Sequence, residues 1–192
     1  MRVYHLVFDG SYAEHTTTLM GIGVVDYTDG LVAKVISKPI HRKAHKGRGS
    51  SFIAEGFAAC AAFEYADPDS EIHIYGDNLD IINLLKNGKT HEKYPELSTL
   101  ILENVKKHHS VTALHISETD KRLIPYTVFS MAHNASAIAS GSAKREYTGN
   151  LVGEFKAQKI NLKPALDGMK IIDFDKQDIY PINDPRNPKF KF

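Results

Sequence analysis

The chain has 192 residues, 42% of them hydrophobic and 24% charged, with a formal net charge of +1. That balance suits a globular chain able to bury a sizeable core, organised as one domain with an appendage rather than as two full domains. It excludes nucleic-acid binding through bulk charge and leaves local basic patches to supply any such affinity. No apolar run approaches the roughly 20 residues of a membrane-spanning helix.

The single cysteine, Cys60, sits in an alanine-rich helical pattern and reads as a small core residue. One cysteine forms no internal disulfide, which is consistent with a reducing cytosol. The chain starts directly on a strand, without a charged segment leading into a long apolar one, so no signal peptide is expected. The expected location is cytoplasmic, with no membrane partner.

The first strand is built from Val3, Tyr4, Leu6, Val7 and Phe8, residue types that a buried strand favours. Asp9 ends the run and Gly10-Ser11 breaks it. Asp-Gly after a strand is common turn chemistry. A carboxylate in such apolar company also needs a charged partner if it is buried, and a metal ion is one candidate. Leu19 to Tyr27 reads as a second strand, Thr28-Asp29-Gly30 as a hairpin turn and Leu31 to Ser37 as a third strand. Three strands on short connections predict an antiparallel meander, with the opening strand at its interior edge and Asp9 near the middle or end of that strand.

The most basic segment follows, with Lys38, His41, Arg42, Lys43, His45, Lys46 and Arg48 uninterrupted by any acid. Two readings stand for it: a solvated loop and a phosphate-contacting loop. Ser50-Ser51 can cap the next helix. Phe52 to Ala66 is apolar nearly all round, as a buried helix is. Glu55 is its anomaly. Phe52, Ala58, Ala59 and Ala62 share its face at helical spacing and form a small apolar surface suited to packing on a sheet. That predicts an inward-pointing Glu55, against the alternative that it only complements the helix dipole.

Glu71 to Asn78 is a strand ending in another acid, Asp77, and a helix follows at once from Leu79 to an Asn87-Gly88 stop. Strand, acid, helix is the pattern of a parallel unit, whose ligands bind beyond the carboxyl ends of the strands. Asp77 and Asn78 are both suitable helix caps. Pro95 opens a third helix running to about His109, with Lys106, Lys107, His108 and His109 placed to suit its negative end. Val111 to Ser117 is a fifth strand. A loop with Lys121 and Arg122 leads to a last helix from Tyr126 to Ser140, which carries His133 and Asn134. Beyond Gly141-Ser142 the character changes. Residues 143–192 are lysine- and proline-rich, Leu166 to Phe174 is a candidate strand or docking segment, and the end is extended.

Acids on the first strand, early in the first helix and at the end of the fourth strand give an order that resembles the ribonuclease H family. The matching text is Phe8-Asp9-Gly10-Ser11, then Ala54-Glu55 with Ala58 and Ala62, then Tyr75-Gly76-Asp77-Asn78. The resemblance covers residues 1–142 and implies an α/β fold of the type-1 kind. Its five-stranded mixed sheet has three antiparallel strands and then two parallel ones, flanked by helices. Residues 143–192 then form a C-terminal extension, partly irregular. The family's fourth metal-site residue lies in an A-D-x-x-A pattern, with histidine known in some branches. Ala132-His133-Asn134-Ala135-Ser136 is the nearest match, with His133 for Asp, Ser136 where Ala is usual, and Phe129 where Asn often stands. His133 therefore has two readings, a metal-site residue and an ordinary core or surface histidine.

The resemblance implies a metal-dependent endoribonuclease that cuts the RNA strand of RNA–DNA hybrids by a two-metal mechanism. In-line hydrolysis of a phosphodiester benefits from two divalent ions about 3.5–4 Å apart. Asp9, Glu55 and Asp77 would hold them, with Asp9 bridging and His133 assisting one ion. Carboxylates suit Mg²⁺, and an imidazole suits Mn²⁺ better. Arg42, Lys43, Lys46 and Arg48 would grip phosphates, and Ser11 and Asn78, beside two of the acids, would contact nucleic acid. The alternative is a catalytically weak or silent nucleic-acid-binding or assembly module on the same fold. Exonuclease relatives carry Asp-x-Glu where this chain has Asp9-Gly10-Ser11. A sugar-kinase-like fold would need a second phosphate-binding glycine motif and a much longer chain.

Overall fold

The central strand, β1 (Val3–Tyr12), is buried on both faces: Leu6, Val7 and Phe8 are all inaccessible to solvent. Its near-continuous apolar run follows from helix layers covering both sides of the sheet. The computed structural model describes residues 1–14, 20–28, 32–40, 49–118, 124–142, 156–161, 171–172 and 179–180. Strands β2 (Met20–Asp26) and β3 (Val32–Ile40) continue from β1 as the expected antiparallel meander. Strands β4 (Glu71–Gly76) and β5 (Ser110–His115) join on the other side of β1 in parallel. The five-stranded mixed sheet, β3-β2-β1-β4-β5, is the expected one. A sixth strand, β6 (Lys156–Asn161), pairs antiparallel with β3, and a separate two-stranded sheet joins β7 (Ile171–Ile172) to β8 (Ile179–Tyr180).

Helices α1 (Ser51–Tyr65), α2 (Leu79–Asn87) and α3 (Pro95–Val105) contribute to one core. There Phe63, Ile81, Leu84 and Ile101 meet Leu6, Phe8 and Ile74 of the sheet. Helix α4 (Ile124–Ser140) covers the opposite face, where Val128, Ala132 and Ile138 meet Val7, Val25 and Tyr75. Alternate residues of β1 thus feed different cores, as the period-two geometry of a strand requires. Among the described residues no helix is long and apolar enough to cross a membrane.

The helix ends follow local chemistry. Ser50 caps α1 by accepting the Ile53 N–H at 3.2 Å. Asn78, rather than Asp77, caps α2 by accepting from Asp80 and Ile81, and Gly88 ends that helix at φ 63°. Glycine occupies this left-handed conformation without a Cβ penalty.

Asp9 lies in the body of β1, one of the two places expected for it: the strand runs on to Tyr12 because Asp9, Gly10 and Ser11 pair with Gly23, Ile22 and Gly21 of β2. One expectation is revised. Helix α3 ends at Val105, not near His109. Tighter bonds from Lys107 to Asn104 and from His108 to Val105 close the turn, and the His109 N–H reaches the Ser70 carbonyl at 2.8 Å. His108 is consequently buried, its ring nitrogens 3.1 Å from the Phe63 carbonyl and 3.2 Å from the Ser70 hydroxyl, and not set against the helix dipole. Of the segment from Leu166 to Phe174, Ile171–Ile172 is strand and the remainder lies outside the described residues; the tail also adds β6 to the main sheet.

Candidate metal centre

The register between β1 and β4 pairs Val7 with Tyr75. Asp9 and Asp77 each lie two residues further on, so adjacent parallel strands deliver both carboxylates to the same edge. This is the crevice beyond strand carboxyl ends that such sheets use for ligands. Glu55 comes from the first turns of α1, which crosses β1 at Gly10. A Cβ at Gly10 would lie 2.2 Å from the Ala54 carbonyl carbon and from the Glu55 nitrogen. Any side chain there would push α1 off the strand and carry Glu55 away from Asp9.

The three acids converge as expected. One carboxylate oxygen from each of Asp9, Glu55 and Asp77 lies within 4.8 Å of the others. Asp9 and Glu55 are 3% and 5% exposed, while Asp77 is exposed. Glu55 points inward, so the dipole-only reading does not describe it.

Burial pushes the Glu55 carboxyl well above the usual carboxylate range, and the charges of Asp9 and Asp77 push it further. The Gly10 backbone favours the charged form but does not reverse this. Although Asp77 as a residue is exposed, the groups crowding its carboxyl desolvate it and raise its pKa, with the Asp9 charge adding to this and His133 and His115 opposing it. Among the described residues, Oε2 of Glu55 is the buried side-chain polar atom without a hydrogen-bond partner. Buried polar atoms are nearly always paired. An orphaned carboxylate oxygen beside two further carboxylates is the arrangement that a divalent cation would satisfy with hard oxygen ligands. The residues present fit such an ion.

Helix α4 brings up the fourth group. It lies directly on β2 because a Cβ at Gly23 would come within 2.0 Å of the Ala132 carbonyl oxygen. That close approach places His133 and Ser136 above Asp9. His133 Nδ1 is 3.4 Å from Asp9 Oδ2, and the hydrogen bond and charge of Asp9 raise its pKa against the effect of burial. His133 thus contacts Asp9 and stands outside the three-acid group. The Ser136 hydroxyl donates to the same Asp9 Oδ2.

Sequence reasoning noted Ser136 only as a departure from alanine and did not single out His115. His115 Nε2 is 2.7 Å from the Asp77 carbonyl oxygen and its Nδ1 is 2.6 Å from the Ser117 hydroxyl, so it braces the backbone that carries Asp77. No local pattern marks it, since the contact joins two strands. Ser11 is close to the site, but its hydroxyl engages Ser140 and Ser142 at 2.9 and 3.2 Å. Asn78 uses its side-chain oxygen as the α2 cap. Arg42, Lys43, Lys46 and Arg48 lie outside the described residues.

A mixed five-stranded sheet with acids converging from β1, α1 and the end of β4 defines a ribonuclease H-like fold. Solved structures agree. The chain is similar to ribonuclease H1 from the halophilic archaeon Halobacterium salinarum, with a TM-score of 0.56 and 20% identity over 73% of this chain and 99% of that one. It is also similar to the N-terminal RNase H domain of rv2228c from Mycobacterium tuberculosis, with a TM-score of 0.53 and 14% identity over 72% of this chain and 95% of that one. A third similar structure is LC9-RNase H1, with a TM-score of 0.53 and 12% identity over 73% of each chain. No family model and no curated protein matches the chain. The chain has the ribonuclease H-like fold.

Proposed function

We propose that the protein is a metal-dependent endoribonuclease that hydrolyses the RNA strand of RNA–DNA hybrids in the cytoplasm, with two Mg²⁺ or Mn²⁺ ions as cofactors. The observation that carries this reading is the convergence of Asp9, Glu55 and Asp77 around an orphaned Glu55 oxygen. Asp9, central on β1, Glu55 from α1 and Asp77 after β4 would hold the ions. When bound, such ions make the attacking water more acidic and stabilise the leaving oxygen. A cation held there would compensate the neighbouring negative charges that favour the neutral form of Glu55, and would so favour its charged form. His133 steadies Asp9 through its Nδ1 and would assist in holding one ion. The loop with Arg42, Lys43, Lys46 and Arg48 binds phosphates, and Ser11 and Asn78 flank the strand being cut.

The position of His133 against Asp9, outside the acid group, favours a second reading: a catalytically weak or silent nucleic-acid-binding module. Labelled RNA–DNA hybrid, duplex RNA, duplex DNA and single strands, incubated with Mg²⁺ or Mn²⁺, separate the two. Cleavage of the RNA strand of the hybrid that Asp9→Asn abolishes supports the enzyme. Calorimetric metal titration that finds no site sensitive to Asp9→Asn, with no cleavage of any substrate, supports the silent module.

A further inference from the structure

We infer that Ser136 is a positioning residue that holds the Asp9 carboxylate in its cation-binding orientation. This rests on the reading of the three acids as a divalent-cation site. Ser136 is fully buried, and its hydroxyl donates to Asp9 Oδ2. Its Oγ also lies 2.9 Å from the His133 carbonyl one turn back in α4. A hydroxyl has one proton to donate, and an ionised carboxylate is the stronger acceptor. The proton therefore goes to Asp9 Oδ2, which His133 Nδ1 also approaches, and the His133 carbonyl remains as a second acceptor. With either acceptor no buried donor is left unpaired.

The donor cannot drift away from Asp9. The α4 backbone is seated on Gly23 through Ala132, and Ser37 of β3 donates a 2.8 Å bond to the Ala135 carbonyl, the residue before Ser136. Glu55 and Asp77 bring carboxylate oxygens within 4.8 Å of Asp9, and the Asp77 charge would rotate an untethered Asp9 carboxylate away. Ser136 and His133 are both placed to oppose that rotation at Oδ2. An alanine in this position would supply no such tether.

The experiment titrates the full chain with Mn²⁺ by calorimetry and follows thermal unfolding in EDTA. Ser136→Ala should weaken Mn²⁺ affinity by about tenfold, the lower end of what loss of a ligand-orienting hydrogen bond costs. Ser136→Thr, which keeps the hydroxyl, should recover most of that loss. If the added methyl prevents folding, Ser136→Cys, a weaker donor of similar shape, should give an intermediate affinity. In EDTA the melting-temperature loss caused by Ser136→Ala should shrink in an Asp9→Asn background, where no carboxylate remains to be held. Wild-type Mn²⁺ affinity in Ser136→Ala, with equal melting losses in both backgrounds, would overturn the inference and leave Ser136 bonded only within its own helix. A wild-type chain that takes up no Mn²⁺ would overturn the cation-site reading itself. The metal-free comparison would then still decide whether Ser136 holds Asp9.

Discussion

His133 and Asp9 meet at 3.4 Å, Nδ1 to Oδ2, across 124 positions of sequence, one on the helix packed over the sheet and the other on its central strand. Asp9 raises the imidazole pKa first through this hydrogen bond and then through its charge, with Asp77 adding to it. A raised histidine contributes stability that is fully present below its unfolded value of about 6.5 and is lost as pH rises through the folded one. Metal-free wild type should therefore melt above His133→Ala at acidic pH and converge with it at alkaline pH. With half-exposed His133 the difference is screened by solvent, so a shift of only a few degrees is expected. In cleavage assays His133→Ala should cost far less than Asp9→Asn, and His133→Asp should preserve or improve Mg²⁺-dependent activity. Identical rates and metal dependence for His133→Ala and wild type across pH would leave the residue structural only.

The acid cluster sets a second pH dependence. Glu55 and Asp77 both have folded-state values raised by burial and by neighbouring carboxylates. The folded protein then binds more protons than the unfolded chain, so stability falls as pH rises from the ordinary carboxylate range through the raised values. In EDTA the melting temperature should decline over that window. Saturating Mn²⁺ should flatten the decline, because the cation replaces the proton. Glu55→Gln should raise the metal-free melting temperature at alkaline pH while removing metal binding. A flat metal-free profile would contradict the raised values.

Gly23 makes the seating of α4 testable. A Cβ there would meet the Ala132 carbonyl at 2.0 Å, and backbone cannot swing aside as a flexible side chain does. Gly23→Ala should destabilise the fold by about 1–3 kcal/mol, the usual cost of overpacking. By lifting His133 and Ser136 from Asp9 it should also weaken Mn²⁺ binding. Denaturant unfolding and calorimetry measure the two effects, and unchanged values in both would mean that α4 does not need this close approach.

Replacing Arg42, Lys43, Lys46 and Arg48 by Ala should raise the Michaelis constant for hybrid far more than it lowers turnover. Each lost phosphate contact should reduce the salt slope of binding by about one unit. Since phosphate contacts carry no base information, the loss should be similar for all hybrid sequences. Lys156, Lys159 and Lys163 serve as the control set. Unchanged affinity in the loop variant, with loss in the tail variant, would move the binding surface to the C-terminal extension.

The sequence by itself determined strands β1 to β5, the helices and the three acids, because each is announced by its immediate neighbours. The apolar run before Asp9, the small face around Glu55 and the strand-acid-helix order at Asp77 are signals a few residues long. Only the tertiary structure decided the rest. Asp9 lies within a strand, not at a turn, because Gly23 of β2 pairs with it. Lys156–Asn161 becomes a strand because the edge of β3 supplies its partners. Helix α3 stops at Val105 because the following residues bond to Ser70 and Phe63 instead of continuing it. Ser136 reaches Asp9 across 127 positions and His115 reaches Asp77 across 38. A hydrogen bond between distant positions leaves no periodicity in either stretch of chain. It exists only once the layers are packed and the glycines have let them approach.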